Sequence, residues 1–179
     1  IAPPCNAMMN GLFLTGKNMI QFVHDQSIIR DILCFKVCNG LSAVHSLGVI
    51  HRDIKPENIL LSQNRVPRIC DFGCAAKFSG VDSRICYEVV GTMNYFSPEE
   101  AACLPHDPFL CDFWSAAVTL VFLLAGKLPF GGTNQPVRAV NMLLESIIHD
   151  DPVVDFGVVD PAIKDYLERI LEKDPKKRY

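Results

Sequence analysis

Between residues 27 and 47 apolar side chains recur at three- and four-residue intervals, placing Ile28, Ile29, Ile32, Leu33, Val37, Leu41 and Val44 on one broad face. That period predicts an amphipathic helix, opened by Ser27 as a hydroxyl cap and closed by Gly48. Two short strand-forming runs follow, NILL and VPRIC, separated by residues 62–65 with the turn-former Asn64 among them; they predict a β-hairpin. From 74 to 97 no period is sustained, and several hydroxyls with Gly80 and Gly91 predict a long loop of the kind that often carries function. Residues 112–125 are apolar nearly all round, which suits a helix enclosed by protein, and Gly126 with Pro129 would end it. Two further helices are predicted. One runs from about Gln135 to His149; the other is capped by Asp160, has Pro161 in its first turn, and aligns Ile163, Tyr166, Leu167, Ile170 and Leu171. The expected fold is α+β and mainly helical, with one small hairpin and no internal repeat or low-complexity tract.

Composition narrows the picture. A chain of 179 residues, 49% hydrophobic with a mean hydropathy of +0.19, can bury one sizeable core and is short for two. A net charge of -3 gives no general attraction for nucleic acid or an anionic membrane, so neither is expected as a partner. The greasiest run, AAVTLVFLLA, is about half the length of a membrane-crossing helix, so no membrane span is expected. No secretory signal is expected, since no charged start followed by an apolar segment and a small-residue cleavage site is present in the sequence. Eight cysteines lie scattered in apolar surroundings, including Cys34 and Cys38 at helical spacing and Cys70 and Cys74 around Asp71. No CxxC pair occurs, so buried structural thiols in a reducing, cytoplasmic compartment are expected rather than disulfides or a metal site.

The charged chemistry is concentrated in HRDIKPENILL, residues 51–61, where His51, Arg52 and Lys55 crowd against Asp53, Glu57 and Asn58 beside an apolar run. A core cannot bear such groups unpaired. The hairpin would place Asp53 before its first strand and Asp71 just after its second, so that the two carboxylates converge at one end. With Asn58 and Lys55 they supply oxygen ligands for a hard cation and a positive group for a phosphate.

HRDIKPEN followed by DFG resembles the catalytic loop and metal-binding motif of eukaryotic protein kinases. Three other stretches are similar to that family in family order: GTMNYFSPEE to the end of its activation segment, DFWS to the start of its central helix, and KDPKKR to its closing motif. The resemblance implies a kinase large-lobe fold over 27–179, with 1–26 a weakly matching hinge or remnant segment. It implies that Asp53 accepts or orients the proton of the substrate hydroxyl, that Lys55 stabilises the γ-phosphate of ATP, and that Asn58 and Asp71 hold Mg²⁺. Glu57, Leu60 and Cys70 would join Lys55, Asn58 and Asp71 on the nucleotide side, with Leu60 under adenine and Cys70 beside it. Lys55 and Thr92 resemble the serine/threonine branch, so the expected partner is a protein with a Ser or Thr acceptor.

By the same resemblance Arg52 pairs with a phosphorylated activation loop, for which Ser79, Ser83 and Tyr87 are candidates. His51 and Phe72 would stack, Asp112 would anchor the catalytic-loop backbone, and Glu99 would pair with Arg178. His24, His45, His106 and His149 form no ligand pattern and are expected at the surface or at helix ends. The sequence also departs from the family. It holds no GxGxxG and no VAIK-like lysine, and Lys17 falls in a hinge-like stretch, so the small lobe that covers the ATP phosphates is expected to be missing. Met93, Asn94 and Ala117 replace residues common at their positions. Two readings remain: a serine/threonine kinase of which this is the large lobe, inactive alone and with an apolar seam exposed where the small lobe docks, or a non-catalytic kinase-like scaffold.

Overall fold

Residues 13–14, 35–62, 66–78, 84–131, 138–153 and 161–178 are described by a computed structural model. The centre of the fold is a helix of 18 residues, α3 (Pro108–Ala125), preceded in the chain by α1 (Phe35–Ser46) and α2 (Pro98–Ala101) and followed by α4 (Arg138–His149) and α5 (Pro161–Ile170). It starts four residues before the predicted Asp112, because Asp107 caps it by accepting the Phe109 amide hydrogen at 2.9 Å and Pro108 needs no amide partner in the first turn. Gly126 ends it at φ 69, a left-handed conformation that a side chain would disfavour. By length and apolarity this helix could cross a membrane, but 67% of it is enclosed by the rest of the protein, as expected of a core helix.

Trp114 of α3 is fully buried and stacks on Phe130, with ring centroids 5.8 Å apart. Ile147 from α4 and Leu167, Ile170 and Leu171 from α5 and its end join the same core. Each such side chain, moved fully out of water, contributes roughly 1.5–3 kcal/mol. A second cluster lies between α1 and α3, where Leu41 meets Ile54 and Ala116. The predicted caps Ser27 and Asp160, and the first helix's face from Ile28 to Leu33, lie outside the described residues.

The predicted hairpin is present as β3 (Ile59–Ser62) and β4 (Pro67–Ile69), paired antiparallel with Ile59 opposite Ile69. It is part of a larger arrangement than expected. Strand β1 (Phe13–Leu14) pairs along the free edge of β3, and a separate sheet joins β2 (Val49–Ile50) to β5 (Ala76–Lys77). A strand of two residues is too short to display a period, which is why β5 falls inside the stretch 74–97 that reads as loop, and the single turn of α2 after it is as short. Ser97 and Glu100 nevertheless form a full capping box around α2.

The histidines and cysteines divide. His149 sits at an exposed helix end as expected, and His24 lies outside the described residues. His45 ends α1 but is largely enclosed, while His106 is 5% exposed, correcting its expected surface position: the loop before α3 folds inward there. None of the six described cysteines forms a disulfide; Cys111 is buried, but Cys103 is exposed, against the expectation of burial, because its turn at φ 53 after α2 points into solvent-facing loop.

Candidate active site

Three polar side chains on the otherwise apolar α3 set the site. Asp112, Ser115 and Thr119 follow the i, i+3, i+7 spacing of one helix face, and all three are buried. Asp112 accepts the backbone amide hydrogens of His51 and Arg52, each at 2.8 Å, and that of the His45 ring at 2.8 Å. Thr119 donates to the Ile54 carbonyl at 3.3 Å and Ser115 to the Tyr95 carbonyl at 2.7 Å. One rigid helix therefore positions both the charged loop and the segment before α2. Arg52 takes a left-handed φ of 64, a conformation tolerated where its surroundings over-determine it.

Within the loop, the Asp53 carboxylate is the hub. Lys55 Nζ donates to its Oδ2 at 2.7 Å, Asn58 Nδ2 to the same oxygen at 3.1 Å, and Thr92 Oγ1 to Oδ1 at 2.7 Å. Lys55 also donates to Thr92 at 2.8 Å, closing a ring of three side chains. Burial by itself would raise the Asp53 pKa, but these hydrogen bonds and the lysine charge together outweigh it and hold the carboxyl below its ordinary value. Thr92 reaches Asp53 because Gly91 precedes it: at φ 109, a Cβ on residue 91 would lie 2.3 Å from the Arg52 carbonyl oxygen.

Asp71 is joined to this group through Asn58. The Asn58 side chain also donates to the Asp53 carbonyl at 2.8 Å, and the Asn58 backbone carbonyl accepts the amide hydrogen of Cys70, the residue before Asp71, at 2.9 Å. His51 Nε2 donates to the Cys70 carbonyl at 3.0 Å, and its ring meets Phe72 edge-on at 4.8 Å. Asp71 itself is exposed, at φ 61, with Oδ1 accepting from the Gly73 amide at 3.3 Å. Because Nδ2 of Asn58 is committed to Asp53, its Oδ1 has no hydrogen-bond donor among the described residues. That oxygen and the Asp71 carboxylate are hard donors of the sort that fit Mg²⁺.

Of the remaining residues expected at the site, Leu60 and Cys70 are half-buried on the facing hairpin strands and their end, and Glu57 is exposed on the turn Pro56–Asn58, outside the hydrogen-bonded group. Phe72 is 46% exposed beside Asp71, an apolar surface next to the charged group. Tyr87 is exposed, whereas Ser79 and Ser83 lie outside the described residues. Arg52 pairs with Glu88 at 2.6 Å and donates through Nε to the Cys74 carbonyl. Glu99 and Arg178 form a buried pair, with an Nη2–Oε2 hydrogen bond at 3.0 Å and an Nη1–Oε1 ion contact at 2.9 Å. The sequence reading missed His45, Ser115, Thr119 and Glu88. The helical spacing of the two hydroxyls after Asp112 was a usable signal; His45 and Glu88, 67 and 36 residues from their partners, carried none.

A mainly helical domain that carries a lysine-paired aspartate and an asparagine on a loop anchored to its central helix, with a second carboxylate at the end of the following hairpin, has the architecture of a protein kinase large lobe. Residues 8–179 match the protein kinase domain, and the chain belongs to that family. The match begins inside the stretch that the motifs alone resemble weakly. Over 148 residues the chain is 35% identical to the probable serine/threonine-protein kinase KCC4 of Saccharomyces cerevisiae, covering 82% of this chain and 14% of that protein. It is 32% identical to the human serine/threonine-protein kinase PAK 4, covering 82% of this chain and 24% of that one. It is 31% identical to the serine/threonine-protein kinase TOS3 of S. cerevisiae, covering 91% and 31%. The chain thus spans less than a third of the length of these relatives.

Proposed function

We propose that the protein carrying this chain transfers the γ-phosphate of ATP to serine or threonine hydroxyls of protein substrates. The observation that carries the reading is the Asp53 carboxylate, held ionised by Lys55, Thr92 and Asn58 with its side chain 11% exposed. A carboxylate fixed by three donors can accept a hydrogen bond from an incoming hydroxyl and align its oxygen for attack without reorganising. Lys55, 2.7 Å from that carboxylate, is placed to offset charge on the phosphoryl oxygens as it passes to the acceptor. Thr92 joins the loop to the segment against which the substrate would lie. Asn58 and Asp71 would hold Mg²⁺, which when bound neutralises phosphate charge. Leu60 and Cys70 would face adenine, with Glu57 at the edge of the nucleotide side. Six described cysteines that form no disulfide support an intracellular setting.

The test is phosphate transfer from ATP to a serine- or threonine-bearing protein by the protein that carries this chain, compared with its Asp53→Asn variant. Asn keeps the shape and loses the charge, and the expected loss is about 10²- to 10⁴-fold. Transfer at the unaltered rate in Asp53→Asn would overturn the assignment, and absence of any transfer or nucleotide binding by the unaltered protein would favour a scaffold. The 179 residues alone, which hold no glycine-rich phosphate loop, are expected to transfer little or nothing.

A further inference from the structure

A second cluster of reactive side chains takes no part in the proposed phosphoryl transfer. Glu100 from α2, His106 from the following loop and Cys111 from the first turn of α3 are 7%, 5% and 4% exposed. Each offers a donor atom, and these three atoms all lie within 4.8 Å of one another. They converge for separate reasons. The capping box holds Glu100 against Ser97, paired backbone hydrogen bonds of 2.8 and 3.0 Å tie His106 to Cys86, and the Asp107 cap begins the turn that presents Cys111.

The histidine is pre-set as a ligand. Its Nδ1 donates to the Leu104 carbonyl at 2.8 Å, which fixes the tautomer and leaves the lone pair on Nε2. That nitrogen makes no hydrogen bond to another described residue. Ser97 Oγ lies 2.9 Å from Glu100 Oε2 and 3.1 Å from Cys111 Sγ, a further oxygen at the edge of the group.

We propose that Glu100, His106 and Cys111 bind a zinc ion. One thiolate, one imidazole and one carboxylate form a borderline donor set that suits Zn²⁺, whereas Mg²⁺ and Ca²⁺ take oxygen ligands. Tetrahedral bonds of about 2.0–2.3 Å put donors roughly 3.3–3.8 Å apart, so the three side chains close in by roughly an ångström on binding. Cys111 releases its thiol proton to solvent as the Zn–S bond forms, and water or the Ser97 hydroxyl takes the fourth position. The ion would brace α2 to α3 beside Glu99, which pairs with Arg178, and Asp112, which anchors the charged loop. Its role is structural positioning, not chemistry on the phosphate.

The protein that carries this chain, purified from zinc-supplemented cells and dialysed against a weak chelator, is expected to retain about one zinc per chain at this site by elemental analysis. Cys111→Ser and His106→Gln should lose that equivalent, while Cys103→Ser, at an exposed thiol outside the group, should keep it. Cobalt substituted for zinc should give a tetrahedral visible spectrum with a thiolate charge-transfer band that Cys111→Ser abolishes. Retention of the metal by both Cys111→Ser and His106→Gln would overturn the site. Should either variant fail to fold, the unaltered protein still decides: no stoichiometric zinc, or cobalt bound without a thiolate band, refutes the proposal independently of any kinase assay.

Discussion

Replacing Arg178 with methionine removes one half of a buried charge pair that links the end of the chain to α2. Arg178 and Glu99 are 3% and 9% exposed, so the carboxylate left behind would have little access to water. Breaking such a pair from one side costs about 3–5 kcal/mol. Arg178 also donates to the Glu172 and Lys173 carbonyls, each worth about 1 kcal/mol, and its guanidinium lies 4.7 Å from the Trp114 ring centroid. Methionine keeps part of that packing, so the expected net loss is about 4–6 kcal/mol, set against the roughly 5–15 kcal/mol that holds an ordinary domain folded. With a urea slope of about 2 kcal/mol per molar, the unfolding midpoint should fall by about 2–3 M. The double variant Glu99→Leu with Arg178→Met removes both charges and should be more stable than Arg178→Met alone, giving a coupling energy of about 1–3 kcal/mol. Circular dichroism through a urea titration measures all four proteins of the cycle. A single-variant loss below about 1 kcal/mol, or strict additivity, would refute the claim that this pair clamps the segment.

Two other outcomes follow from the same geometry. Gly91→Ala should lower the thermal midpoint, since its Cβ would lie 2.3 Å from the Arg52 carbonyl oxygen and the shift that relieves the clash moves Thr92 off Asp53; a strain cost of about 1–3 kcal/mol is expected, and an unchanged melt would contradict it. Burial pushes the Lys173 pKa down to about 8, Asp150 and Asp151 opposing the shift and Arg178 adding to it. Because its unfolded value is about 10.4, the unfolded chain binds more protons between about pH 8 and 10, so stability attributable to this group should rise with pH across that window. Lys173→Met should flatten that slope in urea titrations, and at pH 8 the unaltered Lys173 should be acylated faster than the exposed Lys127, read by peptide mass spectrometry.

Much of the molecule was legible in one dimension because its causes are local. The apolar period of α1, α4 and α5, the run that became α3, and the strand–turn–strand of β3 and β4 each depend on residues a few positions apart. So did the charged loop: Asp53, Lys55 and Asn58 lie within six positions, and the hydrogen bonds among them need little beyond the turn that carries them. Other features had no local cause to read. Strands β2 and β5 exist because each satisfies the other's backbone, and α2 because Ser97 and Glu100 cap it, not because either shows a period. The closing of the Asp53 ring by Thr92, from 39 residues away, required a glycine against the Arg52 carbonyl and Ser115 on α3 holding the Tyr95 carbonyl. Burial of His106 was likewise decided by packing: a polar ring alone suggests surface, and only the inward fold of its loop enclosed it. Sequence by itself determined which chemical groups were available and the periodic elements that carry them. Tertiary structure decided which groups meet, because contacts between distant segments depend on packing around a shared core, and no local pattern records that packing.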